Sequence, residues 1–187
     1  MQDDGAQLVG GEWSFRKKPD FLASRLAYFN TLLEAQKAKY AELPKQAIKI
    51  TLPDGNTKEG VSFQTTPLDI ATMISKQLAE KIVVAKVKYS NGKIASLDEG
   101  LSIPEELKTS GSGEQGWVEY DATRPFEGDC ELKLFTFDTP EGKETFWHSS
   151  AHVLGETLEL EFGVHLCHGP PTDAGFFYDS YSGKDVS

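Results

Sequence analysis

The amino-acid sequence predicts an α+β protein, and three changes in the spacing of apolar residues support this prediction. Near the N-terminus, Leu22, Leu26 and Phe29 recur at helical intervals. Residues 48–52 instead alternate between apolar and polar side chains, which is typical of a half-buried strand. Helical spacing returns over residues 147–162. We therefore expect a short-stranded sheet preceded and followed by helices.

The first helix is predicted between Pro19 and the segment Leu43-Pro44, with Asp20 as a cap. Its apolar stripe is one-sided, which favours packing on its own protein over the alternative of docking on a partner. Residues 1–18 are polar and contain three glycines, so we interpret them as a loose arm. Residues 1–45 then form one region, a flexible arm followed by an amphipathic helix.

The next segment predicts a hairpin followed by a capped helix. Residues 47–63 contain two strands around the turn Pro53-Asp54-Gly55-Asn56. Thr66 is followed by proline at the first helical position and by an acid three residues after the cap, so a helix is expected to begin here and run to about Glu80. Its buried face would contain Ile70, Ile74 and Leu78.

Two further β-rich runs complete a recognisable order of elements. Residues 82–87 and 130–135 are predicted to be strands. Strand, turn, strand, helix, strand and later strand is the order of a β-grasp, or ubiquitin-like, domain, in which one helix packs across a mixed sheet. We assign residues 46–138 to this domain. Glycine- and serine-rich composition marks about 89–116 as an inserted surface loop.

Composition restricts the function classes. The formal net charge is −10 and the pI is about 4.9, so the chain is a poor non-specific ligand for a phosphate backbone. No apolar run is long enough to span a bilayer, and no signal peptide or Arg-rich transit pattern is visible, so we expect no membrane association and a cytoplasmic location. Cys130 and Cys167 are far apart in sequence and are expected to be reduced thiols.

The last predicted helix carries two of the four histidines. Thr139 followed by Pro140 predicts its start, and Gly163 predicts its end. His148 and His152 are four residues apart, so on a helix both imidazoles lie on one face and could share a water, a metal or a substrate. By spacing alone this pair is weak evidence for a site, since histidines on helices are often ordinary packed or solvent-facing residues.

Metal-based interpretations of the histidines are less favoured. The zinc-protease pattern requires a glutamate directly after the first histidine, and Ser149 stands there instead. A second hypothesis adds His165, Cys167 or His168 to the helix pair as zinc ligands. In a regular strand, however, His165 and Cys167 would share one face and His168 would point away. We therefore favour a buried, structural Cys167.

Four runs of residues resemble the N-terminal region of threonyl-tRNA synthetases of the eukaryotic cytosolic type. They are Ile48–Gly55, Thr65–Ala71, Phe146–Glu156 and Cys167–Tyr178, of which the last two are the most specific. The resemblance covers most of the chain from about residue 19. It implies that residues 46–138 are a TGS domain and that residues 139–187 are the first helix and hairpin of an α+β editing domain.

The resemblance also assigns roles to residues. In this family the His-x-x-x-His helix opens a domain that hydrolyses wrongly charged Ser-tRNA(Thr), which makes His148 and His152 the expected catalytic residues. The family completes that site with a Cys-x-x-x-His motif much further along its chain. It also has a class II catalytic domain and an anticodon-binding domain, and neither is present up to Ser187. We therefore expect a fragment with half of the editing site and no ligase activity of its own.

Cofactors and partners follow from the same resemblance. None is expected for this fragment, whereas ATP, magnesium and zinc are implied for the missing catalytic domain. The implied partner is tRNA(Thr), bound mainly through the full-length protein, which is expected to be a homodimer. Two alternatives remain open: a non-catalytic TGS-type module that binds RNA or protein, and a metal-dependent hydrolase that uses the His148/His152 pair.

Overall fold

The computed structural model describes residues 17–90, 116–172 and 174–181. Residues 1–16 of the expected arm and most of the expected insertion lie outside these ranges. The described residues divide into two compact units. The β unit contains residues 37–145, and the histidine unit contains the residues up to 36 together with those from 146 onwards. Within the described ranges, no helix combines the length and apolarity that crossing a bilayer requires.

The β unit is built on a five-stranded mixed sheet with the strand order β2-β1-β5-β3-β4. Its strands are β1 (Ala47–Thr51), β2 (Thr57–Val61), β3 (Ile82–Tyr89), β4 (Val118–Tyr120) and β5 (Cys130–Thr136). Strands β1 and β5 are parallel, and the other neighbouring pairs are antiparallel. The predicted β-grasp domain is confirmed. The short strand β4, which pairs with β3 at the edge, was not predicted.

The core of this unit lies on one face of the sheet, as the alternation of apolar residues requires. Ile50, Val87 and Leu132 come from the three central strands and are almost completely buried, and Ile70 covers them from the helical side. Phe126, in the loop before β5, is also fully buried and stacks on Tyr120 with ring centroids 6.0 Å apart. Such burial stabilises the fold by about 1.5–3 kcal/mol for each large apolar side chain.

The predicted helix after the hairpin forms, but as two helices, α2 (Pro67–Ile74) and α3 (Lys76–Ala79). The capping box is confirmed, because Thr66 accepts a bond from the Asp69 backbone N–H while the Asp69 carboxylate accepts one from the Thr66 N–H. The prediction of one continuous helix to Glu80 was wrong. Ser75 has extended backbone angles and its hydroxyl caps α3 through the Leu78 N–H, so Ile74 leaves the buried face and is 43% exposed.

The predicted turn of the first hairpin is confirmed, but the second strand of the hairpin ends earlier than predicted. Gly55 adopts a φ of +83°, which glycine tolerates, and the Asp54 carboxylate accepts bonds from the backbone and side-chain amides of Asn56. These bonds hold the pKa of Asp54 below its ordinary value. Strand β2 ends at Val61, because Phe63 turns out of the sheet with a φ of +57° and its N–H bonds to the Phe126 carbonyl.

Helix α1 (Asp20–Glu42) has the predicted bounds but not the predicted packing. No residue of α1 is fully buried, and Leu26 and Phe29, at the centre of the expected stripe, are 60% and 58% exposed. Packing of this stripe on its own protein was therefore a wrong prediction for the middle of the helix. Helical spacing of apolar residues predicts that they share one face of a helix, but it does not determine what covers that face.

The histidine unit contains most of helix α4 (Pro140–Phe162) and four short strands. They are β6 (His165–His168), β7 (Pro171–Thr172), β8 (Gly175–Phe176) and β9 (Asp179–Tyr181). Strand β6 pairs with β9 and β7 pairs with β8, both antiparallel, so the chain runs out and back as one irregular hairpin. The predicted helix followed by a hairpin is confirmed.

Candidate functional site

Helix α4 carries the candidate site, and its ends are fixed by the residues that predicted them. The Thr139 hydroxyl accepts a bond from the Gly142 N–H at 3.1 Å, as an N-cap does, and Pro140 is the first helical residue. At the other end, Gly163 adopts a φ of +65° and its N–H bonds to the Glu159 carbonyl at 3.0 Å. The helical register of the histidines is therefore well determined.

Both site residues lie side by side on this helix. The Nε2 atoms of His148 and His152 are 3.0 Å apart, the ring centroids are separated by 4.8 Å, and both side chains are exposed. This is hydrogen-bond distance, and a bond between two neutral rings requires that one ring carries its hydrogen on Nε2 and the other on Nδ1. The pair is thus a coupled donor and acceptor that solvent can reach.

The neighbouring face of α4 is packed, which holds the backbone under the histidines. Ala151 is fully buried, and Gly155 is buried so closely that a Cβ there would lie 2.8 Å from the Tyr178 ring and 3.0 Å from Leu166. Trp147 contacts Phe176 with ring centroids 5.9 Å apart. The β6–β9 hairpin therefore supports the helix on the side next to the histidines, while the imidazoles themselves stay free of packing.

The residues just before α1, together with its first turns, contact the end of α4 within the same unit. The Lys18 N–H donates to the Leu160 carbonyl at 2.9 Å. Lys17 and Arg25 form ion pairs with Glu161 at 2.7 Å and with Glu159 at 2.9 Å. The hydrogen bond from Lys17 is the main reason why the pKa of Glu161 lies below its ordinary value. Because both side chains of the Lys17–Glu161 pair are exposed, this pair orients the segment more than it stabilises it.

The hairpin histidines and Cys167 do not join the pair. His165 stacks on Phe21 with centroids 5.7 Å apart, and His168 contacts Phe177 at 6.4 Å. Within residues 17–90, 116–172 and 174–181, no three His, Cys, Asp or Glu side chains are placed to hold one metal ion. The structure therefore gives no support to the zinc set that combined the helix pair with hairpin residues.

The expected burial of Cys167 was wrong, because this thiol is exposed. The ladder between β6 and β9 shifts register between Leu166 and His168, which places Cys167 in a bulge. A bulge removes the regular alternation of faces on which the prediction rested.

A groove on the β unit was missed by sequence reasoning. It has a volume of about 670 Å³ and lies between the first hairpin, the α2–α3 segment and β5. Leu52, Met73, Leu78 and Leu134 contribute apolar walls, and Asp54 is also among the lining residues. Leu52, Leu78 and Leu134 each fitted a strand or helix pattern, so no signal in the sequence distinguished them from core residues.

Comparisons with known proteins agree with this architecture. The TGS domain family matches residues 48–136. The cytoplasmic threonine–tRNA ligase of Saccharomyces cerevisiae is 41% identical over 177 residues, which are 91% of this chain and 20% of that protein. The cytoplasmic ligase of Caenorhabditis elegans is 42% identical over 163 residues, 87% of this chain and 19% of that protein. The threonine–tRNA ligase, mitochondrial 1, of Arabidopsis thaliana is 40% identical over 165 residues, 87% of this chain and 19% of that protein.

The chain spans about one fifth of the length of these relatives. Both the family match and the relatives cover the β-grasp sheet, and the relatives cover about nine tenths of the whole chain. Residues 48–136 are therefore a TGS domain, and the chain belongs with the N-terminal region of the threonyl-tRNA synthetases.

Proposed function

We propose that the protein is a threonine–tRNA ligase in which this region supplies the TGS domain and half of a site that hydrolyses Ser-tRNA(Thr). The ligase assignment is supported by relatives of about 40% identity that are named as such ligases. The site is supported by one observation above all, the 3.0 Å approach of the His148 and His152 Nε2 atoms on an exposed helix face.

A hydrolytic site meets a physical need of this activity. Serine is smaller than threonine by one methyl group, and a binding pocket gains only about 1–3 kcal/mol from such a difference. Serine is therefore esterified to tRNA(Thr) at a rate that a single binding pocket cannot suppress. A second site that removes the wrong amino acid restores accuracy, provided that it admits the seryl ester and leaves the threonyl ester intact.

The histidine pair can supply the proton transfer that ester hydrolysis requires. One imidazole accepts a proton from water at a ring nitrogen that carries a lone pair, and the resulting hydroxide adds to the ester carbonyl. The tetrahedral oxyanion then collapses, the bond between the carbonyl carbon and the ribose oxygen breaks, and the ribose oxygen takes the proton. The second imidazole fixes the tautomer of the first and can contact the terminal ribose.

The remaining assignments concern the whole protein. We infer tRNA(Thr) as its substrate, a homodimer as its assembly and the cytoplasm as its location, although mitochondrial ligases are also among the relatives. ATP, magnesium and zinc would serve a catalytic domain for threonine charging. The hydrolytic chemistry proposed for His148 and His152 uses none of these three.

Deacylation assays on the full-length protein that carries this region test the proposal. We expect His148→Ala and His152→Ala to slow hydrolysis of Ser-tRNA(Thr) by about 10²–10⁴-fold, the usual contribution of general acid–base catalysis, and to leave threonine charging intact. His168→Ala is the matched control, because it removes another exposed histidine of the same unit. Seryl-ester hydrolysis at the wild-type rate in both helix variants would show that the pair is not catalytic.

A further inference from the structure

The groove on the β unit combines apolar walls with two opposite charges. Its volume of about 670 Å³ is in the range of about 300–1,000 Å³ that is usual for small-molecule sites. Asp54 and Lys58 line it together with apolar side chains that include Leu52, Leu78 and Leu134. We propose that this groove binds a free α-amino acid with a large apolar side chain, such as leucine. This binding does not depend on the hydrolysis proposed for helix α4.

Both charges belong to the first hairpin. Lys58 pairs with Ile50 in the β1–β2 ladder, so its half-buried side chain lies on the same face of the sheet as this core residue. Asp54 lies in the turn of the hairpin. Hydrogen bonds from Asn56 are the main cause of the low pKa of Asp54, and the charge of Lys58 also lowers it. At neutral pH the hairpin therefore presents a carboxylate and an ammonium group to the groove.

An α-amino acid carries the complementary charges on a single carbon atom. Its ammonium group can donate hydrogen bonds to the Asp54 carboxylate, which has lone pairs beyond those that the Asn56 amides use. Its carboxylate can accept hydrogen bonds from the Lys58 ammonium group. A ligand with one charge would make only one of these contacts. The groove should therefore discriminate against simple amines and simple carboxylic acids.

The walls of the groove favour an apolar side chain on the ligand. Leu52 and Leu134 pack against the buried core and also line the groove, so this part of the wall is formed before any ligand binds. Met73 and Ile74 also line the groove and are exposed, so a ligand would remove their apolar surface from water. Methionine adapts to side chains of different shape. We therefore expect leucine, isoleucine and phenylalanine to bind alike, and serine and threonine to bind about 10-fold more weakly.

Methyl NMR of the 187-residue chain tests the site directly. Titration with leucine should shift the methyl resonances of Leu52, Leu78 and Leu134, with a dissociation constant of about 0.1–1 mM, as expected for a ligand of so few atoms. Isoamylamine lacks the carboxylate of leucine, and isocaproate lacks its ammonium group. Each of these analogues should bind about 3- to 10-fold more weakly than leucine, because it makes only one of the two charged contacts.

Lys58→Met should weaken leucine binding by a similar factor, and Lys49→Met is the matched control. Lys49 alternates with the buried residues Ile48 and Ile50, so it lies on the opposite face of the sheet and its removal should leave binding unchanged. Unshifted groove resonances at leucine concentrations far above the expected range would overturn the inference. Equal affinities for leucine, isoamylamine and isocaproate would also overturn it, as would unchanged leucine affinity in a folded Lys58→Met variant. The ligand comparisons use the wild-type chain, so they decide even where a variant fails to fold.

Discussion

The β unit and the histidine unit use their side chains in opposite ways. In the β unit, side chains from every strand but β2 meet in one buried cluster that includes Ile50, Leu132 and Phe126. In the histidine unit, the buried positions Ala151 and Gly155 are small. The side chains that can take part in acid–base chemistry, His148 and His152, are exposed to solvent. Stability is therefore concentrated in residues that do no chemistry, and the candidate chemistry in residues that packing does not constrain.

Removing a core ring should give the largest effect. We expect Phe126→Ala to destabilise the protein by about 3–5 kcal/mol, because it deletes a fully buried ring and leaves Tyr120 without its stacking partner. The free energy of unfolding from urea titration measures this change. Met73→Ala, at a position in the same unit that is 55% exposed, should change it by less than about 0.5 kcal/mol. Similar values for the two variants would contradict the packing described for Phe126.

The burial of core residues was only partly predictable from the sequence. Ile48, Ile50 and Leu132 follow a period of two, so their burial and their strands were predictable. Phe126 has no such signal, because its loop lacks any period and its burial depends on backbone bonds to Phe63 and Thr65, which lie far away in sequence. The break at Ser75 was hidden for a similar reason, since serine is acceptable both inside a helix and as a cap.

For the histidine unit, the residue pattern of the sequence and the resemblance to a family predicted different features. The capping residues Thr139 and Gly163 predicted both ends of α4, and the four-residue spacing predicted that the imidazoles share a face. Their catalytic role came from the resemblance alone and stays a prediction. The bulge at Cys167 followed from neither, because a bulge depends on how two strands meet rather than on the composition of either one.

The two cysteines offer a smaller, pH-dependent contrast between the units. Burial, with a minor contribution from Asp129, raises the pKa of the Cys130 thiol to about 12, whereas Cys167 is exposed. The unfolded thiol ionises near its ordinary pKa of 9.0, so the unfolded state loses a proton above this pH that the folded state keeps. The contribution of Cys130 to stability is therefore complete below pH 9 and is lost as the pH rises toward 12.

This loss should approach about 1.4 kcal/mol for each pH unit above 9. Unfolding titrations at pH 8, 9 and 10 measure it, and Cys130→Ala serves as the control with a shallower slope. Tyr89 and Tyr120, whose pKa values burial also raises, contribute a further decline that begins near pH 10 and is common to both proteins. Alkylation with iodoacetamide at neutral pH should modify Cys167 alone, and rapid labelling of Cys130 in the folded chain would contradict its burial.

The smallest expected effect concerns the stability of the histidine pair. His148→Ala and His152→Ala should each change the free energy of unfolding by less than about 0.5 kcal/mol, since both side chains are exposed and contact chiefly each other. On the same helix, Gly155→Leu should cost about 1–3 kcal/mol or more, because its side chain would have to displace Tyr178. Thermal and urea unfolding of the three variants measure the contrast.

A large loss of stability in the histidine variants would mean that the pair holds the fold together, and any fall in their hydrolytic activity would then have a structural explanation. Near-wild-type stability combined with lost hydrolysis would separate the two roles. The buried face of α4 would then serve to position the exposed face, and the histidines would be retained for chemistry, because they contribute nothing to the fold that alanine would not.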